Sequence, residues 1–512
     1  MTLIREGMDW PPKPFDRFYE DVAEASVWWE GTASELTSFY AGTSVLPSGF
    51  RGRVSAAVAA FWGKTTQQAK PQHRLHVPVA ADLANTSANL LFSSPPTFTV
   101  TDGDQTAQDR LDRIANTTNM HADLLVAGET CAALSGVFLR VVWDHDVAAN
   151  AFIEVVDADR ALPEFRWGRL TAVTFFTEHR DQNAVYRHLE RYTPGRIEHT
   201  LYKGDSTSLG RLVSLADHPA TETIAAQVDM ESSVETGTDL LAAVFIPNQK
   251  PNPAYRADPI LRHMGRGDLS RDLIPLMDAL DETYSAWMRD VRLAKARLVV
   301  SENLTDSRGV GRGRSFDTDR EIFETVNTVP DAQGNVGGII QAHQFDIRVE
   351  EHQSTAEALV REILRRVGYS PLTFGLTDAV AMTAAETAAR ERTSSQTREA
   401  KTRLWRPALA RLIRAQLEID AYQFGTGVTV TEDVEVDWSQ GTQETPHELG
   451  QTVSLFHAAQ AASAETRVRM LHPSWDQEQV DAEVAKIENE YGIALPDLGG
   501  MTELDFTGGH AE

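Results

Sequence analysis

A chain of 512 residues, 42% of them hydrophobic, can bury a sizeable core and divides by length into about two to four domains. Its mean hydropathy is −0.32, and apolar runs such as Val137 to Val142 fall far short of the ~20 residues a membrane-spanning helix needs, which excludes a helical membrane protein. A net charge of −26 excludes a protein that grips DNA over its whole surface, because phosphate binding draws on clustered Lys and Arg.

The first ten residues carry no apolar stretch behind Arg5 and no small-residue cleavage pattern, which predicts a protein that is not exported. Residues 15–93 read largely as helices: Phe15 to Ala23, Val54 to Trp62 and Val79 to Phe92, the last stopped by Pro95-Pro96. A further helix over about 106–134 carries Leu111, Ile114, Met120, Leu124 and Leu125. Cys131, the single cysteine, lies in an apolar run, reads as a buried small hydrophobe and fits a reducing cytosol.

From Val137 to about Phe245 the period changes to two, in VFLRVVW, AFIEVVD, LTAVTFFTEH, AVYRHLERY, GRIEHTLYKG and RLVSL. Spacings this short predict an antiparallel meander, so the first half reads as a mixed α+β domain. Pro247 to Pro259, with three prolines in Pro247-Asn-Gln-Lys-Pro-Asn-Pro253, makes a hinge. Asp272 to Val299 is the strongest helical pattern, with Leu273, Met277, Leu280, Tyr284, Trp287, Val291 and Ala294 on one stripe and Asp272 as its cap. About 28 residues make a rod of roughly 42 Å. Trp287 and Tyr284 read as core before interface.

Residues 301–349 are polar and Gly-rich with two β-like runs, Glu321 to Val326 and Gln344 to Val349, a small β-excursion between helices. A second helix, about Ser354 to Val367, ends at Gly368. Tyr369 to Thr383 is a loop with one proline, one glycine and little charge, and Ala384 to Phe424 is a long helix that Pro407 should kink or split. A strand-like Val428 to Trp438 and helices at about 446–462, 464–470 and 475–492 close the fold, with 493–512 an acidic flexible tail. Between Thr426 and Glu512 stand 17 acidic against 3 basic residues, more than half the net charge in the last sixth of the chain.

Enzyme motifs are scarce. The cluster Ser307 to Ser315 lacks the Gly-Lys-Ser/Thr ending of a phosphate loop and reads as a flexible loop; its Arg308, Arg312 and Arg314 are solvated charge or contacts to phosphate or an acidic partner. Asp144-His145-Asp146 reads as a turn rather than a metal site, and His73 and His76 lack ligand-spaced partners. Arg266-Gly-Asp268 spells an adhesion tripeptide but sits in the lead-in to a helix. Asp278 and Glu282, four apart, suit an acid–base pair geometrically, yet solvated or inter-subunit charge is the better reading. No cofactor is expected.

Five stretches in order resemble the portal proteins of long-tailed, siphophage-type bacteriophages: Val77 to Pro96, Glu190 to His199, Asp278 to Lys295, Val367 to Leu376 and Met382 to Thr393. The resemblance covers most of the chain. It implies a portal-type α+β fold with a wing (1–264), stem helix 1 (265–300), a clip (301–349), stem helix 2 (350–368), a tunnel loop (369–383), a long kinked helix (384–424), a wing return strand (425–445) and a crown (446–492). It further implies a non-enzymatic ring of twelve subunits at the capsid vertex, through which double-stranded DNA is packaged and ejected. The partners it implies are the large terminase ATPase, a head-completion or adaptor protein, and major capsid and scaffold proteins, with no membrane. The chain would stand in the virion and, during assembly, in the host cytoplasm. Ser370, Thr373, Thr377, Asp378 and Thr383 would belong to the tunnel loop beside DNA, Lys295 and Arg297 would face the channel or a neighbouring stem, and Arg308, Arg312 and Arg314 would meet a clip partner. Another capsid or connector protein, or a nuclease or protease fused to a virion scaffold, is the alternative. A pore of low adhesion agrees with the acidic composition, since each phosphate held would have to be released on translocation.

Overall fold

The computed structural model describes residues 4–42, 74–102, 105–181, 184–230, 232–294, 347–376, 384–438, 446–472 and 477–490, together with short strands between 297 and 343. It divides into residues 1–439 and residues 440–512. The predicted helix Val54 to Trp62, the β-run Glu321 to Val326, His73 and the tail 493–512 lie outside the described residues.

The first unit opens with α1 (Phe15–Glu30), α2 (Ala33–Gly42) and α3 (Val79–Phe92). In α1, Phe15, Phe18, Val22, Ala25 and Trp28 step by three and four onto one buried stripe. Strand β1 (Thr97–Thr99) follows, then α4 (Gln105–Ile114) and α5 (Thr118–Ala133). The single helix expected over 106–134 is therefore two. Thr117 sits in extended backbone and its hydroxyl accepts from the Met120 amide, so the side chain starts a new helix instead of continuing the old one.

The meander is present: β2 (Gly136–Val142), β3 (Phe152–Asp157), β4 (Ala161–Arg166), β5 (Arg169–Asp181), β6 (Ala184–Thr193), β7 (Arg196–Gly204), β8 (Arg211–Val213), then α6 (Pro219–Ala225), β9 (Ser233–Glu235) and β10 (Ala243–Pro247). Every pairing is antiparallel, in a sheet ordered β4-β5-β6-β7-β8 with β9 also on β7, and a second ordered β10-β2-β3. Pro194 and Gly195, the latter at φ +84°, close β6 onto β7.

Next come α7 (Ile274–Leu293), the pair β11 (Arg297–Val300) and β14 (Ile340–His343), the pair β12 (Asp306–Ser307) and β13 (Arg314–Ser315), α8 (Val349–Val367), α9 (Ala384–Phe424) and β15 (Glu435–Asp437) on β1. Helix α7 spans 20 residues, about 30 Å, not 28. Its cap is Leu273, not Asp272, and the β-branched Arg297-Leu-Val-Val leaves the helix for a strand. Of the β-run expected at Gln344 to Val349, residues 344–346 lie outside the described residues and Val349 already opens α8; the strand found nearby is Ile340–His343. Helix α9 runs through Pro407 without being split. Only Glu435–Asp437 of the strand expected over 428–438 pairs. The second unit holds α10 (Pro446–Ala458), α11 (Ala464–Leu471) and α12 (Gln477–Glu490), close to the helices expected there.

Two apolar cores organise the first unit. One packs α4, α5 and the strands β2, β3 and β10 around the second half of α9, from Trp405 to Ile419. The other packs α1, α3, the first half of α7 and the end of α8. Cys131 is buried as expected, and burial pushes its thiol far above the ordinary range.

Within the large sheet the His188 and His199 rings stack, with 3.1 Å between Nε2 and Nδ1, an arrangement that needs a neutral acceptor. Burial holds His188 down to about 4 against the pull of Glu190, and burial also lowers His199. Both folded values lie below the unfolded value of about 6.5, so their contribution is intact above it and is lost as pH falls towards 4. Between pH 6.5 and 5 we expect about 2 kcal/mol of stability to disappear, read as a falling denaturation midpoint. The double variant His188→Leu/His199→Leu should flatten that slope, and an unaltered slope would rule the pair out as its source.

Candidate functional site

Site-forming residues lie where the lead-in to α7, the end of α8 and the first half of α9 meet. The lead-in passes under the start of β2 so closely that a Cβ on Gly265 would stand 1.9 Å from the Ser135 carbonyl oxygen, which only glycine tolerates. The Gly267 amide then donates to Ser135 Oγ (3.1 Å) and the Asp268 amide to the Ala132 carbonyl (2.9 Å). These bonds aim the Asp268 carboxylate inward, where it is 2% exposed, so the Arg-Gly-Asp triplet is a buried structural turn and no adhesion site.

Lys401 of α9 meets it there. Its ammonium uses all three protons: 2.7 Å to Asp268 Oδ2, 2.6 Å to Ser87 Oγ on α3 and 3.0 Å to the Tyr369 hydroxyl. Tyr369 donates to the same Oδ2 at 2.8 Å, and Asn248 Nδ2 to Oδ1 at 2.7 Å. Burial alone would lower the Lys401 ammonium, but the carboxylate beside it prevails and holds it above the ordinary lysine value. The Tyr369 hydroxyl is raised by burial and by Asp268.

Chain leaving α8 is fastened to α9 just ahead of this pair. Gly368 terminates α8 at φ +90°, and its carbonyl accepts from Thr397 Oγ1 at 2.6 Å. The Ser370 amide donates to Ser394 Oγ (2.8 Å), and Thr373 Oγ1 lies 2.8 Å from the same oxygen. Ser370 Oγ caps the short 3₁₀ turn Pro371–Phe374, which Gly375 closes at φ +71°. Ser394, Thr397 and Lys401 are spaced by three and four, so one face of α9 presents every fastener.

Helices α7 and α8 lie antiparallel. Asp272 faces Arg366 (3.3 Å) near one end, and near the other Asp290 Oδ2 accepts from Arg348 Nη2 (2.9 Å) and lies 3.0 Å from His352 Nε2. These hydrogen bonds, His352's first, hold the Asp290 carboxyl below its usual range. Leu273, Met277 and Leu280 are buried between them, Tyr284 and Trp287 are half-buried, and Val291, Ile347 and Val349 are exposed. Trp287 stacks on His352 with 6.0 Å between rings. Apolar cover thus thins along the pair.

Some expected site residues stand elsewhere. Ser370 is 3% exposed and Thr373 half-buried, and the fasteners on α9 engage both, so within the subunit these two residues anchor the start of the loop. Arg297 is no helix-end residue; it opens β11 opposite His343. Arg314 lies in β13 opposite Ser307. Lys295, Arg308, Arg312, Thr377, Asp378 and Thr383 lie outside the described residues. In place of the Asp278–Glu282 pair, Asp281 carries the buried chemistry: it is 0% exposed, accepts from the Val77 amide (2.8 Å), and lies 2.8 Å from His76 Nδ1. Asp144 Oδ1 accepts from the Asp146 amide, the turn expected. Among the described residues no group of His, Cys, Asp or Glu could hold a metal, and no helix is long and apolar enough to cross a membrane. The Asp268–Lys401 pair was missed from sequence, although Lys401 shares the helical phase of Trp405, Leu409 and Leu412.

Among solved structures, the chain is similar to the neck of a native GTA particle computed with C12 symmetry, at 13% identity over 77% of this chain and 90% of that chain, with a TM-score of 0.39. It is also similar to a chain in the virion of a native gene transfer agent particle, at 13% identity over 77% of this chain and 89% of that one, with a TM-score of 0.41. No curated protein matches. The family described as phage portal protein, SPP1 Gp6-like, matches residues 35–492, which hold both the anchored loop and the α7/α8 pair, and the chain therefore belongs to that family of structural, non-enzymatic proteins of the capsid portal vertex.

Proposed function

We propose that twelve copies of this chain form the ring at one capsid vertex through which double-stranded DNA enters during packaging and leaves on ejection. The α7/α8 pair forms the stem, 301–349 the clip that meets the head-completion protein, and 369–383 the tunnel loop. A large terminase ATPase drives the DNA, and major capsid and scaffold proteins surround the ring. The observation that carries this reading is the thinning apolar cover along the stem: Val291, Ile347 and Val349 stand 37%, 37% and 43% exposed beside a half-buried Trp287. Apolar side chains gathered at one end of a helix pair want a cover that the described residues of this chain do not supply, and a neighbouring copy's stem supplies it. The net charge of −26 suits a bore that lets DNA slide.

Negative-stain images of the purified protein test the reading: end-on rings with a central hole are expected, and a compact monomer at all concentrations would refute it. Trp287→Asp sets a carboxylate against the His352 ring and the stem surface, and should weaken ring assembly at least about tenfold, the scale of an interface aromatic. Full-size rings at the wild-type concentration threshold would contradict that placement.

A further inference from the structure

The hairpin joining β4 to β5 is a two-residue loop, Trp167-Gly168, between paired Arg166 and Arg169. Both loop residues have positive φ, +53° for Trp167 and +78° for Gly168. Such loops favour Asn, Asp or Gly at the first position, since a bulky side chain there is strained. The indole is moreover 94% exposed, so no packing inside the chain offsets the strain. Around it stand cations: Arg166 and Arg169 are exposed, His263 approaches the position a Cβ on Gly168 would occupy (3.6 Å), and Arg262 and Lys250 lie near His263. A rigid tryptophan rimmed by arginines has the composition of an interface anchor.

A complementary surface lies on α5. Leu125 and Val126 are 37% and 57% exposed, side by side with the exposed Ala122 and Asp123, and Glu129 lies one turn on. An apolar patch beside the exposed Asp123 carboxylate is what an indole rimmed by guanidinium groups fits; Glu129 is half-buried and accepts from Trp29 Nε1 (3.0 Å). We propose that the Trp167 turn of one copy docks on the Leu125/Val126 patch of the next, with Asp123 facing Arg166 and Arg169. Two different faces of the same chain then join head to tail, as a closed ring requires. Duplex DNA is a poorer occupant, because its bases are already stacked and a chain of charge −26 draws a cationic knob to its own copies.

This inference rests on the ring reading, and the test separates the two. Val126→Cys gives a single reactive thiol, because the only other one, Cys131, is buried and held protonated. In rings verified by negative stain, alkylation of that thiol by a maleimide should be at least about tenfold slower than in dissociated subunits. Equal rates in intact rings would overturn the docking while leaving the ring standing; no rings from the wild-type chain would overturn both. Trp167→Gly should raise the subunit's melting temperature by relieving the strain, yet shift assembly to about tenfold higher concentration. Unchanged assembly would sink the proposal. Asp123→Arg and Arg169→Asp should each weaken assembly and their combination restore much of it, an outcome that a purely local folding role for either residue does not produce. Lack of any restoration counts against the pairing.

Discussion

Lys401→Met is expected to cost about 3–5 kcal/mol of unfolding free energy, because it leaves the Asp268 carboxylate buried without a cation. Asp268 would keep the Tyr369 hydroxyl and the Asn248 amide, but these donors were arranged around a charge that Lys401 balanced. Asp268→Asn/Lys401→Met removes both charges and should recover a large share, since the penalty lies in the orphaned ion more than in the missing contact. Denaturant midpoints at a fixed protein concentration measure this, the concentration being held because assembly adds to apparent stability. A loss below about 1 kcal/mol, or a double variant no better than the single one, would mean that the pair is not the keystone its geometry implies.

Trp405→Ala should cost about as much, roughly 3–5 kcal/mol, for a different reason. The indole is 1% exposed, meets Phe92 edge-on at 4.9 Å, and shares that ring with Trp438, whose Nε1 donates to the Leu91 carbonyl. Truncation leaves a hole bounded by α3, β15 and α9, elements far apart in sequence that cannot collapse together without moving the strand pair β1–β15. Arg403→Ala is the control: two residues away and 78% exposed at its side chain, it should shift the midpoint by less than about 0.5 kcal/mol. If the two variants melt alike, the first core is not organised around the second half of α9.

How far the sequence discloses this fold depends on the range over which its physics acts. The meander was legible because alternation and the Pro194-Gly195 turn are local, and α9 was legible because a helical phase persisted from Ala384 to Phe424. Errors arose where a short-range signal competed with periodicity. Thr117 breaks one apparent helix because its hydroxyl caps the next, and Arg297-Leu-Val-Val shares the phase of α7 but has the side chains of a strand. Strand β4, with Pro163 inside it, gave too weak an alternation to be read. The loop after Tyr369 was legible as uncharged. That its first residues are fastened was not, because the partners Ser394, Thr397 and Lys401 lie 24 to 32 residues further on and Asp268 a further 133 from Lys401. Family membership came from order and composition, while the buried pair came only from packing.

Because Ser394, Thr397 and Lys401 fasten the same face of α9 that Trp405 and Leu409 continue into the sheet core, the turn Pro371–Phe374 and the long helix share one rigid footing. Thrust applied to that turn is carried along a continuous spine into the largest mass of the subunit, with no joint between them to absorb it. The first residues after α8 and the sheet core therefore move as one piece, so a displacement at the turn Pro371–Phe374 is passed on to Trp405 and Leu409 instead of being taken up locally.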